Sequence, residues 1–505
     1  MTATHAIAAP AAPKTLGSLT TKLFYGFGSV AFGVKDQGFA YFLLFFYNQV
    51  LGAPAAMVGL AIAVATFVDA FADPIVGQIS DNLRTPWGRR HPFMYAAAIP
   101  VAIGYFFLWN PPHVTGTALF LYLMTAIIVV RTLITCYEIP SSALVAELTS
   151  DYNQRTSFLG FRYLFGSLGG LGITLLALGV FFHATPRYPQ GQLNPAGYVP
   201  YSICAAIVMV IAIVISSLGT HRFIPYFNRP PVRRLTVLQI FKEMFESLKN
   251  RSFIVLTISG LFSSVAAGAL TSLNFYFNTF FWGLTSAQLF LLTVIGVSGP
   301  VVALVIAPAL SARFGKKSTV IACWLLATLF YWLPMSARIL GYFPANGSPL
   351  LLPMLAGFQT LGGMFSLCCS INISSMMADV VEDSQRVTGR RSEGLFFASN
   401  AFVAKAVSGL GVLVGGALIS VVRFPAHANP ATLDPQIPKN LAIAYFPVAF
   451  VLYAVALGCL SFYRISRKSH EENVRTLAAE ADTAPIAVGL EGIRTADAAI
   501  PDAAV

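Results

Sequence analysis

The sequence predicts an all-α membrane protein of twelve transmembrane helices, and three observations predict it. Of its 505 residues, 56% are hydrophobic and only 10% charged, with a mean hydropathy of +0.70, whereas a soluble chain carries charge at about a quarter of its positions. The apolar residues gather into runs near or above the roughly 20 residues that cross a bilayer as a helix. The basic residues gather into short clusters between alternate runs, the pattern of loops on one side of a membrane. That distribution removes the nucleic-acid reading that a net charge of +11 would otherwise invite.

Twelve spans are expected, near residues 23 to 51, 55 to 81, 93 to 111, 117 to 147, 157 to 183, 199 to 224, 253 to 282, 287 to 312, 319 to 342, 350 to 380, 394 to 422 and 441 to 465. Several exceed the length needed to cross, which implies tilt or extension beyond the bilayer. Loops after even-numbered spans carry Arg84, Arg89 and Arg90, then Arg155, a run from Arg222 to Arg251, then Arg313, Lys316 and Lys317, then Arg386, Arg390 and Arg391. Loops after odd-numbered spans carry only Arg187, Arg338, Arg423 and Lys439. Both termini are therefore expected in the cytoplasm of a multi-pass membrane protein. The first twenty residues, rich in Ala and Thr, lack a signal-peptide pattern and read as a flexible cytoplasmic tail. The six cysteines sit in apolar surroundings with neither zinc spacing nor a disulfide framework, and read as small buried hydrophobes.

A basic stretch from Pro225 to Arg251, with Pro230, Pro231 and an amphipathic run from Val237 to Leu248, divides the chain near its middle. The expected organisation is an N-terminal six-helix half over 21–225, a cytoplasmic linker over 226–251 and a C-terminal six-helix half over 252–466. The tail over 467–505, small and charged with little apolar content, reads as disordered. An internal echo supports the division: Ser80 to Arg90 ends in Gly-Arg-Arg, and Ser311 to Lys317 in Gly-Lys-Lys. Two parallel six-helix halves are the plan of major facilitator transporters.

Function is read from charges inside the spans. These are Lys35 and Asp36 in the first, Asp69 and Asp73 in the second, Arg131 and Glu138 in the fourth, Arg162 in the fifth and Lys405 in the eleventh. An ionisable residue at membrane depth faces a protein interior or watery cavity and has a partner, so it marks a functional site. Asp69 and Asp73 share one helical face a turn apart, and Arg131, Thr135 and Glu138 form a polar stripe able to face them. Four acids and four bases form a neutral set, as mutual pairing in one cavity would require. Carboxylates with a hydroxyl offer hard oxygen ligands to a small cation, and their crowding raises one pKa enough to hold a proton. A carboxylate beside a guanidinium can fork hydrogen bonds onto sugar hydroxyls. Glycines at 26, 28, 33 and 38 and at 166, 169, 170 and 172 would let the first and fifth spans approach closely. No nucleotide-binding loop, metal-ligand spacing or nucleophile elbow points to an enzyme or a bound cofactor.

The run from Thr20 to Gly28, the Lys35-Asp36 pair, Asp69-x3-Asp73-Pro74, Trp87-Gly88-Arg89, Glu138-Ile139-Pro140 and Met377-Ala378-Asp379 through Gly394 together resemble the glycoside-pentoside-hexuronide:cation symporters, the melibiose permease-like family. The likeness extends from Thr20 to about Arg467. It implies a major facilitator fold and cation-coupled uptake of a sugar or glycoside, with a proton or sodium as coupling ion. It also implies Asp69, Asp73, Thr135 and Glu138 at the cation site, Asp36, Arg162, Glu138 and Lys405 at the sugar, and Lys35 and Arg131 as charge partners.

The chain departs from that pattern at several positions. Ala72 stands where sodium-using members have asparagine, which favours protons. Glu138 replaces an aspartate, Ser142 and Ser370 stand in place of tryptophans, Ile134 replaces a tyrosine, and Arg131 has no counterpart. The stacking platform for melibiose is thus not reproduced. The Gly-Arg-Arg-His-Pro-Phe run is similar to sucrose-proton transporters, and the same branch includes lysophospholipid carriers. An amphiphile carrier and a non-transporting membrane sensor therefore stand as alternatives. A gate is expected where Arg89 and Arg90 meet Asp379 and Glu382. The expected setting is a bacterial inner membrane and the expected form a monomer.

Overall fold

The computed structural model describes residues 17–149, 151–227, 251–388 and 393–463. Residues 1–16 of the expected N-terminal tail, the expected C-terminal tail and the amphipathic run of the linker lie outside these residues; the N-terminal tail ends earlier than expected, because Ser18 caps a helical segment that already includes Leu19 and Thr20. The helices, in order, are α2 (Ala55–Asn82), α3 (His91–Trp109), α4 (Gly116–Ala143), α5 (Tyr152–Leu176), α6 (Tyr198–His221), α7 (Arg251–Tyr276), α8 (Ser286–Gly296 continued by Ser298–Phe314), α9 (Lys316–Ile339), α10 (Leu351–Thr388), α11 (Glu393–Val421) and α12 (Gln436–Ser461). All eleven are long and apolar enough to cross a membrane. Ahead of them lies α1, the first expected span. α1 is a series of segments, Leu19–Phe27, Ser29–Gln37, Gly38–Phe42, Leu43–Phe45 and Phe46–Val50, of which Gly38–Phe42 and Phe46–Val50 are π turns. A π turn inserts one residue and re-aims the side chains beyond it; hydropathy, which registers only length, cannot reveal it. α12 starts at Gln436, ahead of the expected 441; the polar side chains of Gln436, Lys439 and Asn440 hide its first turns from a reading of apolar runs.

The two halves repeat each other in detail. α1 and α7 both end in a π turn closed by the same pair of bonds, Leu51 N to Phe46 O at 3.0 Å and Ala53 N to Tyr47 O at 2.8 Å in one, Trp282 N to Phe277 O and Leu284 N to Asn278 O, both 2.9 Å, in the other. The loops that follow each place a glycine in the left-handed region, Gly52 at φ 80° and Gly283 at φ 64°. The loops after α2 and α8 turn in the same way through Gly88 at φ 76° and Gly315 at φ 81°, a conformation that glycine adopts without steric penalty. These are the Gly-Arg-Arg and Gly-Lys-Lys loops, so the echo in sequence is an echo in structure.

Between the halves, α2 runs along α11. Small residues allow the contact: a Cβ on Gly409 would lie 2.7 Å from Ala63 Cα, and one on Gly416 would lie 2.5 Å from the Ala55 carbonyl oxygen. At the end away from the Gly-Arg-Arg and Gly-Lys-Lys loops the halves are sealed. Gln192 donates to Thr279 Oγ1 at 3.0 Å and to the Leu284 carbonyl at 3.1 Å, and accepts from Ser286 at 2.8 Å. Tyr276 donates to Asn48 at 2.8 Å, and Gln49 bonds the backbone of Pro425 and Ala428. Edge-to-face contacts of Phe42 and Phe45 with Phe275, at 5.1 and 5.2 Å, complete an aromatic plug.

Candidate functional site

The site is built where α2, α4 and α11 meet. Asp69 is 1% exposed, and each of its oxygens has a donor: Thr135 Oγ1 lies 2.9 Å from Oδ1, while Arg131 Nη1 and Lys405 Nζ lie 3.0 and 2.9 Å from Oδ2. Asp73, one turn along, takes Lys405 Nζ on Oδ2 at 2.7 Å and meets Thr135 Oγ1 from Oδ1 at 3.1 Å. The helical period sets this up, since Asp69 and Asp73 share a face of α2 and Arg131 and Thr135 share a face of α4. Two carboxylates and two cations balance, as burial demands. The Thr135 hydroxyl has one proton for two carboxylate oxygens and donates to one of them at a time, so both contacts are hydrogen bonds only when one of the two carboxyls itself carries a proton.

The remaining expected residues are arranged differently. Lys35, buried, pairs with Asp36 at 2.7 Å, and the Asp36 side chain is 60% exposed. Arg162, 6% exposed, stacks over Phe32 at 5.0 Å and donates to Ser141 Oγ at 3.2 Å and to the Glu138 backbone carbonyl at 3.4 Å. The Glu138 carboxylate, expected at both cation and sugar sites, meets no donor among the described residues, so the expected mutual pairing of all eight charges does not extend to it. Lys405, expected among the sugar contacts, is set instead on the two aspartates. Two adjoining cavities of about 540 and 380 Å³ share Leu270 and Tyr331. The larger reaches Tyr163, Met377 and Val403; the smaller ends against Asn274, Asn278 and Trp282 beneath the sealed end. Ser370 faces the larger cavity, whose aromatic faces come from Trp324, Tyr331, Trp332 and Tyr453.

Of the expected gate residues, Arg89 and Arg90 pair within their own half. Arg89 and Arg90 converge on Glu147 at 2.7 and 2.5 Å, and Arg90 also reaches Asp81 at 3.2 Å. Burial draws the Arg90 guanidinium below its ordinary pKa, while the adjacent Glu147 carboxylate works the other way. Lys316 takes Asp379 at 2.6 Å in the matching position of the second half. Gly88 and Gly315 turn each basic loop back onto its own helices, so the pairs formed by Arg89 and Arg90 do not bridge the halves in this conformation. Glu382 lies outside the described side chains.

Sequence reasoning missed several contributors. Phe39, under Arg131 at 5.0 Å and within the π turn Gly38–Phe42, is one phenylalanine among 41. Glu147 and Lys316 were visible as charges at helix ends, and their partners could have been found from the repeat. Gln192, Asn48 and Gln49 carry no signal beyond being polar residues near apolar runs.

Parallel six-helix halves, a charge cluster held across them, and a cavity closed at one end define a membrane carrier. A family model described as MFS/sugar transport protein matches residues 24–467, and the chain belongs to that sugar-transport family of the major facilitator superfamily, as the resemblance implied. It is a transporter and not an enzyme. The chain is 24% identical to the inner membrane symporter YicJ of Escherichia coli, covering 85% of this chain and 88% of that protein. It is 25% identical to the isoprimeverose transporter of Lactiplantibacillus pentosus, covering 90% of each. The solved nucleoside transporter NupG shares the fold, with a TM-score of 0.59 at 13% identity over 87% of this chain and 99% of that one.

Proposed function

We propose that the protein is a cation-coupled symporter that imports a sugar or glycoside by alternating access, with a proton as the coupling ion. One observation carries this reading: Lys405 of the second half holds both aspartates of the first. A proton that settles on Asp73 removes the charge that attracts Lys405, weakens the tie between α2 and α11 and lets the halves rock. The sugar would enter the two cavities described above, whose lining includes Gln37, next to Asp36, and Tyr163, next to Arg162, and Asp36, Glu138 and Arg162 would offer lone pairs and N–H groups to its hydroxyls. Ala72 supports the proton over sodium, since it offers no ligand oxygen. The basic loops would face the cytoplasm of a bacterial inner membrane with both termini inside, and the carrier would work as a monomer.

The test is accumulation of a panel of mono- and disaccharides in reconstituted vesicles under an inward proton gradient. Wild type should concentrate at least one sugar. Asp69→Asn and Asp73→Asn should each only equilibrate it, a loss of about tenfold or more in accumulation ratio. Undiminished accumulation by either variant would refute the assignment.

A further inference from the structure

Within the cluster around Asp69 and Asp73, Arg131 is the charge that the coupling cycle described above leaves unused. A small hard cation asks for several oxygens around it. The cluster offers the four carboxylate oxygens of Asp69 and Asp73 and the hydroxyl of Thr135. Two donors on Asp69 Oδ2 compete with any ion, Lys405 Nζ at 2.9 Å and Arg131 Nη1 at 3.0 Å. They differ in freedom. Lys405 comes from α11, across the boundary between halves, and withdraws when the halves separate. Arg131 stands on α4, in the same half as both aspartates, and its guanidinium lies over the face of Phe39 at 5.0 Å. Phe39 is itself 4% exposed, sits in the π turn Gly38–Phe42 and packs edge-on against Tyr105 at 6.5 Å. Cation–π attraction strengthens as the pair is desolvated, so Arg131 stays when Lys405 leaves.

With Lys405 withdrawn, the cluster holds two carboxylates and one fixed guanidinium. Asp69 is already neutralised, and one negative charge remains, on Asp73. Ala72, next to it, adds no oxygen. We propose that Arg131 is a tethered cation occupying the place on Asp69 that a sodium ion would need, so that coupling is independent of sodium, and that Phe39 is the positioning residue that keeps it there. This rests on the reading of Asp69 and Asp73 as the coupling site, and adds the ion selectivity of that site.

The experiment compares sugar uptake by vesicles holding the full-length protein, driven by an inward proton gradient, in sodium chloride and in choline chloride. Wild type should take up sugar at rates within about twofold of each other in the two salts. Arg131→Gln should become sodium-responsive, with uptake about tenfold faster in sodium, while Arg131→Lys, which keeps the tethered charge, should not respond. Phe39→Leu leaves every charge in place and conserves bulk; it should show an intermediate sodium stimulation, about threefold. A second readout is the melting temperature of the purified proteins, which sodium should raise for Arg131→Gln and leave unmoved for wild type, since only a bound ligand stabilises. Wild type that requires sodium, or a folded Arg131→Gln or Phe39→Leu that ignores it, would overturn the inference. Wild type that takes up no sugar in either salt would overturn the functional reading instead.

Discussion

Among the described residues Lys405 is the one cation that touches both aspartates, and its removal separates a coupling role from a structural one. Lys405→Ala leaves Asp73 without a cation and Asp69 with Arg131 alone. Breaking a fully buried pair costs about 3–5 kcal/mol, and the ammonium here is 24% exposed, so the expected loss is smaller, about 2 kcal/mol. Thermal unfolding in detergent should show a drop of a few degrees. Adding Asp73→Asn to Lys405→Ala should restore most of that stability, because the uncompensated charge is gone, yet should not restore sugar accumulation. A double variant that accumulates sugar like wild type would show that the cluster only pins helices together. At this scale much was legible in the sequence. Asp69, Asp73, Arg131 and Lys405 stand out because charge in an apolar run is conspicuous, and helical spacing adds Thr135. Spacing gives a face and not a reach, which is why Glu138 looked like part of the same stripe although its carboxylate meets no described donor. The pairing of Lys405 with both aspartates was not legible for the same reason: which acid it meets is decided by how α11 lies on α2.

The helices themselves depend on backbone approach. A Cβ on Gly33 would lie 2.0 Å from the Gly166 carbonyl oxygen, and one on Gly170 would lie 3.0 Å from the Gly33 carbonyl oxygen, so α1 and α5 are in backbone contact at Gly33, two residues before Lys35. Gly33→Val must push the two helices apart. We expect loss of stability of about 2 kcal/mol, in the range of an overpacked core, together with weakened sugar uptake as Asp36 and Arg162 are drawn apart; a purified Gly33→Val protein with wild-type melting temperature would contradict this. In contrast, Gly172 has open space around it and needs no glycine. The sequence displayed both glycine clusters and all twelve spans. It did not display the π turns of α1, since one inserted residue leaves the apolar run unchanged.

For the whole molecule, the balance between conformations is set by the sealed end against the cavity. Gln192, fully buried, joins the loop after α5 to α7 and α8 through three hydrogen bonds. Gln192→Leu removes them and leaves Thr279 and Ser286 short of partners, a loss of about 1–3 kcal/mol that falls on the closed state. The open state on that side should become about tenfold more populated. A membrane-impermeant thiol reagent should then label Asn274→Cys, at the floor of the cavity, faster in the Gln192→Leu background; an unchanged rate would mean that the aromatic plug alone seals the carrier. The two-half plan was legible from the basic loops and their echo, because topology is written in charge. The direction in which this conformation is closed was not, because neutral amides and hydroxyls hold it. The central claim, that the Asp69–Asp73 cluster couples a proton to sugar, is tested most directly by the pH outside vesicles when a transported sugar is added with no gradient imposed. Wild type should turn the medium alkaline as protons enter with the sugar, and Asp73→Asn should give no change. Sugar entry without alkalinisation in the wild type, or alkalinisation that persists in Asp73→Asn, would contradict it.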